Sequence, residues 1–178
     1  MRRNMLIWPL GLAWLVAGCA ATVKQPDGGA PAPAVIKATG KVVALNVTGS
    51  DAMKSSKYWA TLKRVWNLEC TEEFHQADAQ FSMPDESAQP TGSQGALIVA
   101  NIVDYRYVSS GARIGLGVMT GNAYINAHVE YHDLKTGETW ATKTYDTKSS
   151  AWGGIFAAMT RRQVRAICHE MLGEVSAH

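Results

Sequence analysis

The sequence has 178 residues, with 17 lysines and arginines and 15 aspartates and glutamates, for a formal net charge of +2. This near balance, without a basic run, argues against nucleic acid as a partner and against a polybasic attachment to anionic lipid. The length suits a single domain with one core. We expect a signal peptide over residues 1–18, a tether over residues 19–34 and one domain over residues 35–178.

The N-terminal residues have the pattern of a secretory signal with a lipobox. Arg2 and Arg3 precede an apolar run of about 13 residues, about 20 Å of helix, which is too short to span a hydrocarbon core of about 30 Å. The run ends in the lipobox residues Val16, Ala17, Gly18 and Cys19. This motif resembles that of bacterial lipoproteins. The resemblance implies cleavage before Cys19, a diacylglyceryl thioether on its sulfur, and an acyl chain such as palmitate on its new amino group.

The residues after Cys19 bear on localisation. Position two of the expected mature chain is Ala20 rather than Asp, which by analogy with proteobacterial lipoproteins points to the inner leaflet of the outer membrane, facing the periplasm. Residues 20–34 are rich in Ala, Gly and Pro and predict a disordered or extended tether. Its reach is about 20 Å as a flexible coil and about 50 Å when extended. The alternative is an ordinary secreted protein in which Cys19 is incidental.

The predicted domain begins with a strand at residues 41–47 and continues with a helix that Asp51 or Ser55 can cap. Apolar side chains recur along this helix at three- and four-residue spacing. They are Tyr58, Trp59, Leu62, Val65, Trp66, Cys70 and Phe74. Residues 76–95 predict a polar loop in which Phe81, Ser82 and Met83 can form a short edge strand. Residues 96–108 predict a strand whose start is buried on both faces.

Residues 123–131 alternate between small or apolar side chains and polar ones, and predict a strand with one wet face that carries Asn126, His128 and Glu130. A turn at residues 133–137 leads to a partner strand at residues 138–147. The last helix is predicted from about Ile155 or Thr160 to Val175. Together these elements predict a two-layer α/β sandwich with a mainly antiparallel sheet and two helices packed on one face.

The two cysteines of the domain, Cys70 and Cys168, lie on the apolar stripes of the two predicted helices. Export to an oxidising compartment favours a disulfide between them. If both helices pack side by side on the sheet, the two sulfur atoms can meet. The alternative is a pair of buried free thiols.

A glycine-rich loop over residues 109–122 separates two predicted strands. A phosphate-binding loop needs a helix after it, so we interpret this loop as a hairpin connection or as an apolar tip that contacts a partner or the membrane. The candidate partner surface combines this loop with the wet strand face. Its residues are Arg113, Ile114, Gly115, Leu116, Gly117, His128 and Glu130.

The same region resembles the bacterial lipoproteins that carry the domain of unknown function 4410. An arginine followed by spaced glycines, then a strand, then an Asp-x-x-Thr-Gly-Glu turn carries the resemblance. The matching residues are Arg113, Gly115, Gly117, Gly121, Asp133, Thr136, Gly137 and Glu138. The resemblance covers about residues 41–175 and implies a small α/β sandwich in the cell envelope, with no established catalytic residue or ligand.

No spacing in the sequence indicates a catalytic or metal site. His128 and His132 would stand about 13 Å apart on a strand, too far to bind one zinc ion, and no Gly-x-Ser-x-Gly motif is present. We therefore expect no cofactor and no enzymatic activity. The leading hypothesis is an outer-membrane-anchored periplasmic lipoprotein that acts as an envelope interaction or assembly module. The alternatives are a carrier of a small apolar or amphipathic ligand, with Trp152 and Phe156 in a lid, and an oligomer-forming lipoprotein.

Overall fold

The computed structural model describes residues 22–24, 41–84, 93–107, 122–148 and 159–178, with the backbone alone for residues 22–24 and Met159. The lipobox, Cys19, the predicted loop surface at residues 113–117, Trp152 and Phe156 lie outside the described residues. Within these ranges the chain forms six strands and three helices. They are β1 (Thr22–Lys24), β2 (Val42–Gly49), α1 (Asp51–Lys54), α2 (Trp59–Gln76), β3 (Gln80–Ser82), β4 (Gly95–Arg106), β5 (Tyr124–Asp133), β6 (Thr139–Lys148) and α3 (Met159–Ala177).

The described strands form one sheet in the order β1-β6-β5-β4-β2-β3. The β1–β6, β6–β5 and β5–β4 pairs are antiparallel, whereas β2 is parallel to both β4 and β3. The parallel pairs follow from α2, which carries the chain back along the sheet after β2. We call the end of the sheet at which β2, β4 and β6 finish the upper end, and the opposite end the lower end.

Both long helices cover the same face of the sheet, and the predicted two-layer α/β sandwich is confirmed. The inward residues of β5 are Ile125, Ala127, Val129 and Tyr131, and all four are fully buried, as the alternating pattern predicts. Trp66 of α2 is also fully buried in this core. At about 25 cal/mol per Å² of apolar surface removed from water, such burial is the main favourable term in folding.

The sheet face opposite the helices, which we call the open face, divides into two parts. Near the lower end, Ala44 and Leu97 are buried under Leu134 from the β5–β6 turn, so this part is closed. The rest carries polar side chains. They are Asn46, Thr48, Asn101, Asp104, Tyr124, Asn126, His128, Glu130, His132, Thr139, Thr142, Thr144 and Asp146.

The β5–β6 turn explains the Asp-x-x-Thr-Gly-Glu motif. The Asp133 carboxylate accepts hydrogen bonds from the backbone N–H groups of Lys135 at 2.9 Å and Thr136 at 2.7 Å, and from the Thr136 hydroxyl at 3.1 Å. The backbone bond from Thr136 is the largest cause that lowers the pKa of Asp133 below its ordinary value. Gly137 has a φ of 79°, which glycine adopts without strain. The motif residues therefore have a structural role in this chain.

Two elements differ from the predictions. The chain forms a separate short helix, α1, which is capped by Ser50 rather than by Asp51 or Ser55; the Ser50 hydroxyl accepts a bond from the Met53 N–H at 3.3 Å. In the predicted tether, residues 22–24 are extended, which was one of the two expectations, but they form β1 and join the sheet by pairing with β6, which was not expected. The sequence pattern misses β1 because three residues are too few to show periodicity.

Gly95 at the start of β4 provides a test of the parallel β2–β4 pair. Its φ is 155°, and a Cβ atom there would lie 2.2 Å from the Val42 carbonyl oxygen. We predict that Gly95→Ala lowers the free energy of unfolding by at least about 2 kcal/mol in urea denaturation. The control is Asn101→Ala on the exposed part of the same strand, with an expected change within about 0.5 kcal/mol. Equal stability of the two variants would contradict this packing.

Candidate functional site

A disulfide joins the two long helices. Cys70 of α2 and Cys168 of α3 are bonded, with their Cα atoms 5.1 Å apart, and both are fully buried. The predicted Cys70–Cys168 pair is therefore confirmed, and the alternative of two free thiols is excluded. Because both sulfur atoms are oxidised and buried, neither cysteine offers a nucleophilic thiolate.

Charged side chains flank the disulfide along the same helix–helix contact. The Glu69 carboxylate is only 2% exposed and forms ion pairs with Arg161 and with Arg165, the latter at 2.8 Å. One turn further along α2, Glu73 lies 3.7 Å from Arg165 and 3.3 Å from His169. These contacts advance in the same direction on both helices, so α2 and α3 run parallel. The two arginines compensate the buried carboxylate, whose isolated burial would be unfavourable.

The open face carries the two strand residues of the predicted partner surface. His128 lies 3.3 Å from the hydroxyl of Thr144 on β6. Glu130 lies 3.3 Å from His132, whose other ring nitrogen is 2.8 Å from the Thr139 hydroxyl. The Glu130 side chain is 47% exposed, whereas that of His132 is 16% exposed. The face therefore presents hydrogen-bonding groups that are held in place by neighbours on the same strand or on β6.

A row of oxygen-bearing side chains crosses the open face next to the upper end. Asp104, Asn126 and Asp146 are register neighbours on β4, β5 and β6. The Tyr124 hydroxyl donates to the Asp104 carboxylate at 3.0 Å, and this hydrogen bond, followed by burial, raises the pKa of Tyr124. One side-chain oxygen each of Asn126 and Asp146 is buried without a hydrogen-bond partner. Among the residues that the structure describes, no three His, Cys, Asp or Glu side chains are grouped to hold a metal ion.

Two buried tyrosines, Tyr131 and Tyr145, have the largest pKa shifts among the described residues. The hydroxyls of Tyr131 and Tyr145 are 2.6 Å apart under the helices. Burial raises the pKa of both phenols far above the ordinary value. Because both side chains are fully buried, this pair stabilises the layer contact and is inaccessible to a substrate.

The upper end carries a cluster of aromatic residues. The ring of Tyr58 stacks on that of Tyr107 at a centroid distance of 5.1 Å, and the Lys57 ammonium lies 5.0 Å from the Tyr58 centroid. Tyr58 is 38% exposed. Val103 is 59% exposed at a bulge in β4, just beyond the end of β2. Its spacing in the sequence assigns Tyr58 to the apolar stripe of the predicted helix, but in the structure α2 begins at Trp59 and Tyr58 lies just before it.

Comparisons with known proteins show the fold and no family. No family model and no curated protein matches the sequence, so the resemblance to the domain of unknown function 4410 is not confirmed. Protein XCC0632 from Xanthomonas campestris, a DUF330 protein, matches with a TM-score of 0.51 at 9% identity, over 83% of this chain and 90% of that chain. At this identity the match shows a shared fold alone. The function of the DUF330 domain in that protein is itself unknown.

Two further solved structures match with lower TM-scores. The PelC dodecamer from Paraburkholderia phytofirmans matches with a TM-score of 0.49 at 15% identity, over 89% of this chain and 99% of that chain. The hypothetical protein CT253 from Chlamydia trachomatis matches with a TM-score of 0.47 at 14% identity, over 79% of this chain and all of that chain. In the part of the chain that the structure describes, no helix is long and apolar enough to cross a membrane.

The disulfide should be a major source of stability because it closes a long loop. The two cysteines are 98 residues apart in sequence. We predict that replacing both Cys70 and Cys168 by Ala lowers the free energy of unfolding by about 3 kcal/mol, measured by denaturant titration. A reductant should destabilise the wild type by a similar amount and leave the double variant unchanged. A reductant effect of equal size on both proteins would contradict the assignment.

Proposed function

We propose that this protein is a periplasmic lipoprotein anchored to the outer membrane through Cys19, and that it acts as a non-catalytic interaction or assembly module of the cell envelope. The observation that carries the proposal is the Cys70–Cys168 disulfide. Disulfides form and persist in exported proteins and are rare in the cytosol. The disulfide thus supports export independently of the signal sequence, and the lipobox supplies the anchor.

The open face is the surface that we assign to partner binding. The described long helices cover the other side of the sheet, and antiparallel sheets commonly leave one face exposed. Its ordered polar groups at His128, Glu130 and Thr144 suit a protein partner that supplies complementary hydrogen bonds. A non-catalytic role is supported by the state of the described reactive groups: the cysteines are bonded to each other, and the perturbed tyrosines are buried.

The proposal can be tested by placing a photo-crosslinking amino acid at exposed positions in cells. A probe at Asn101, the register neighbour of His128, should yield a defined adduct with one envelope protein, because it lies in the middle of the open face. The matched control is a probe at Leu68, which is 57% exposed on α2. We expect the Leu68 adduct to be absent or at least several-fold weaker.

A competition experiment tests whether the crosslinked partner binds the open face. Excess purified domain should suppress the Asn101 adduct in spheroplasts, and the same domain with His128→Ala and Glu130→Ala should compete several-fold less well while unfolding at a similar denaturant concentration. Adducts of equal yield from Asn101 and Leu68, or equal competition by the two domains, would contradict the assignment of the open face.

A further inference from the structure

The register of β1 determines which end of the domain is near Cys19. Thr22 pairs with Lys148 and Lys24 with Asp146, so β1 begins at the upper end and runs toward the lower end. Only three peptide steps separate Cys19 from Thr22, a distance of at most about 10 Å. A tether that was free until residue 34 would leave the domain orientation undefined. A tether that joins the sheet at Thr22 does not.

We infer that the domain stands on the phospholipid surface with its upper end facing the headgroups, and that Tyr58, Tyr107 and Lys57 contact them. This inference rests on the proposed anchoring through Cys19. With the acylated cysteine in the bilayer interface, the start of β1 lies within about 10 Å of the membrane surface. Tyr58 and Tyr107 lie at the same end of the sheet, beside β2 and β4, three to four strands away from β1. The lower end is about 30 Å farther away, since β5 has ten residues at about 3.3 Å each.

The side chains of the upper end suit this position. Tyrosine is enriched at membrane interfaces because its ring is apolar and its hydroxyl is polar, and lysine extends its ammonium group toward the headgroups. Tyr58 and Val103 are two of the three large apolar side chains that are exposed among the described residues, and both lie at this end. The third, Leu68, lies within α2.

The lower end differs from the upper end in its exposed side chains. Its β5–β6 turn is built from Asp133, Lys135 and Thr136, with Lys135 and Thr136 exposed and no large apolar side chain exposed there among the described residues. The two ends thus differ both in their distance from Cys19 along the sheet and in their side-chain chemistry. Both differences place the upper end against the lipid.

The orientation can be measured on the acylated full-length protein in vesicles of phosphatidylethanolamine with a minor share of phosphatidylglycerol. A nitrobenzoxadiazole probe is attached to Lys54→Cys at the upper end or to Lys135→Cys at the lower end, both exposed lysines. Quenching by a lipid with a spin label on its headgroup reports proximity to the membrane. We expect quenching at position 54 to be at least several-fold stronger than at position 135.

Two linker insertions test the role of β1. A flexible Gly-Ser linker of a dozen residues inserted before Thr22 should lower the quenching at position 54, because it lengthens the connection between the lipid and the sheet. The same linker inserted between Pro31 and Ala32 should leave the quenching unchanged, because β1 still holds the upper end close to Cys19. Loss of quenching with the second insertion, or no loss with the first, would overturn the inference.

The failure of the inference and the failure of the proposed anchor are distinguishable. Acylated, vesicle-bound protein with equal quenching at both positions, or stronger quenching at position 135, overturns the orientation alone. Protein that carries no acyl chain and does not sediment with the vesicles overturns the anchor, and the orientation with it.

Discussion

The disulfide between Cys70 and Cys168 joins α2 and α3, the two long helices that form the helical layer. It fixes α2 and α3 side by side in parallel, and the Glu69, Glu73, Arg165 and His169 side chains extend the contact on either side. At the lower end, the Lys41 ammonium donates to the Val175 carbonyl at 2.6 Å and ties α3 to the start of β2. At the upper end, the Gln163 amide donates to the Ala123 carbonyl at 2.8 Å. With both ends of α3 attached, the long helices cover this face of the sheet.

This one-sided closure is the reason why we propose the open face as the partner-binding surface. Within the described part of the two long helices, Leu68 is the one exposed large apolar side chain, whereas the open face keeps its polar side chains in register across three strands. Gly49 allows α1 and the start of α2 to lie close to the sheet end, since a Cβ atom there would be 3.3 Å from the Trp59 ring. That close approach places Tyr58 against Tyr107. The open face and the upper end are therefore two separate surfaces, one suited to a protein and one to lipid.

The fold was largely predictable because its signals are local. The alternation in β5 and the apolar stripes of α2 and α3 predicted the inward residues, and the positions of Cys70 and Cys168 on those stripes predicted their bond. Features that depend on distant residues were not predictable. The β1–β6 pair involves three residues and a partner more than 120 positions away, the exposure of Val103 arises from a bulge, and Glu69 is buried only because Arg161 and Arg165 compensate its charge. The candidate site, in contrast, was partly predictable, because His128 and Glu130 lie on the open face, as the alternation in β5 predicted.

We propose that this chain is an exported, lipid-anchored protein, and its helical layer is crosslinked by a disulfide. Export, acylation and the disulfide can be tested together by the intact mass of the protein extracted from membranes, with and without reductant and with Cys19→Ala as the control. We expect a chain that begins at Cys19, carries about three acyl chains, and gains the mass of two hydrogens on reduction of the Cys70–Cys168 bond. Cys19→Ala should lack the acyl mass. An unlipidated wild-type chain that retains residues 1–18, with no mass change on reduction, would contradict it.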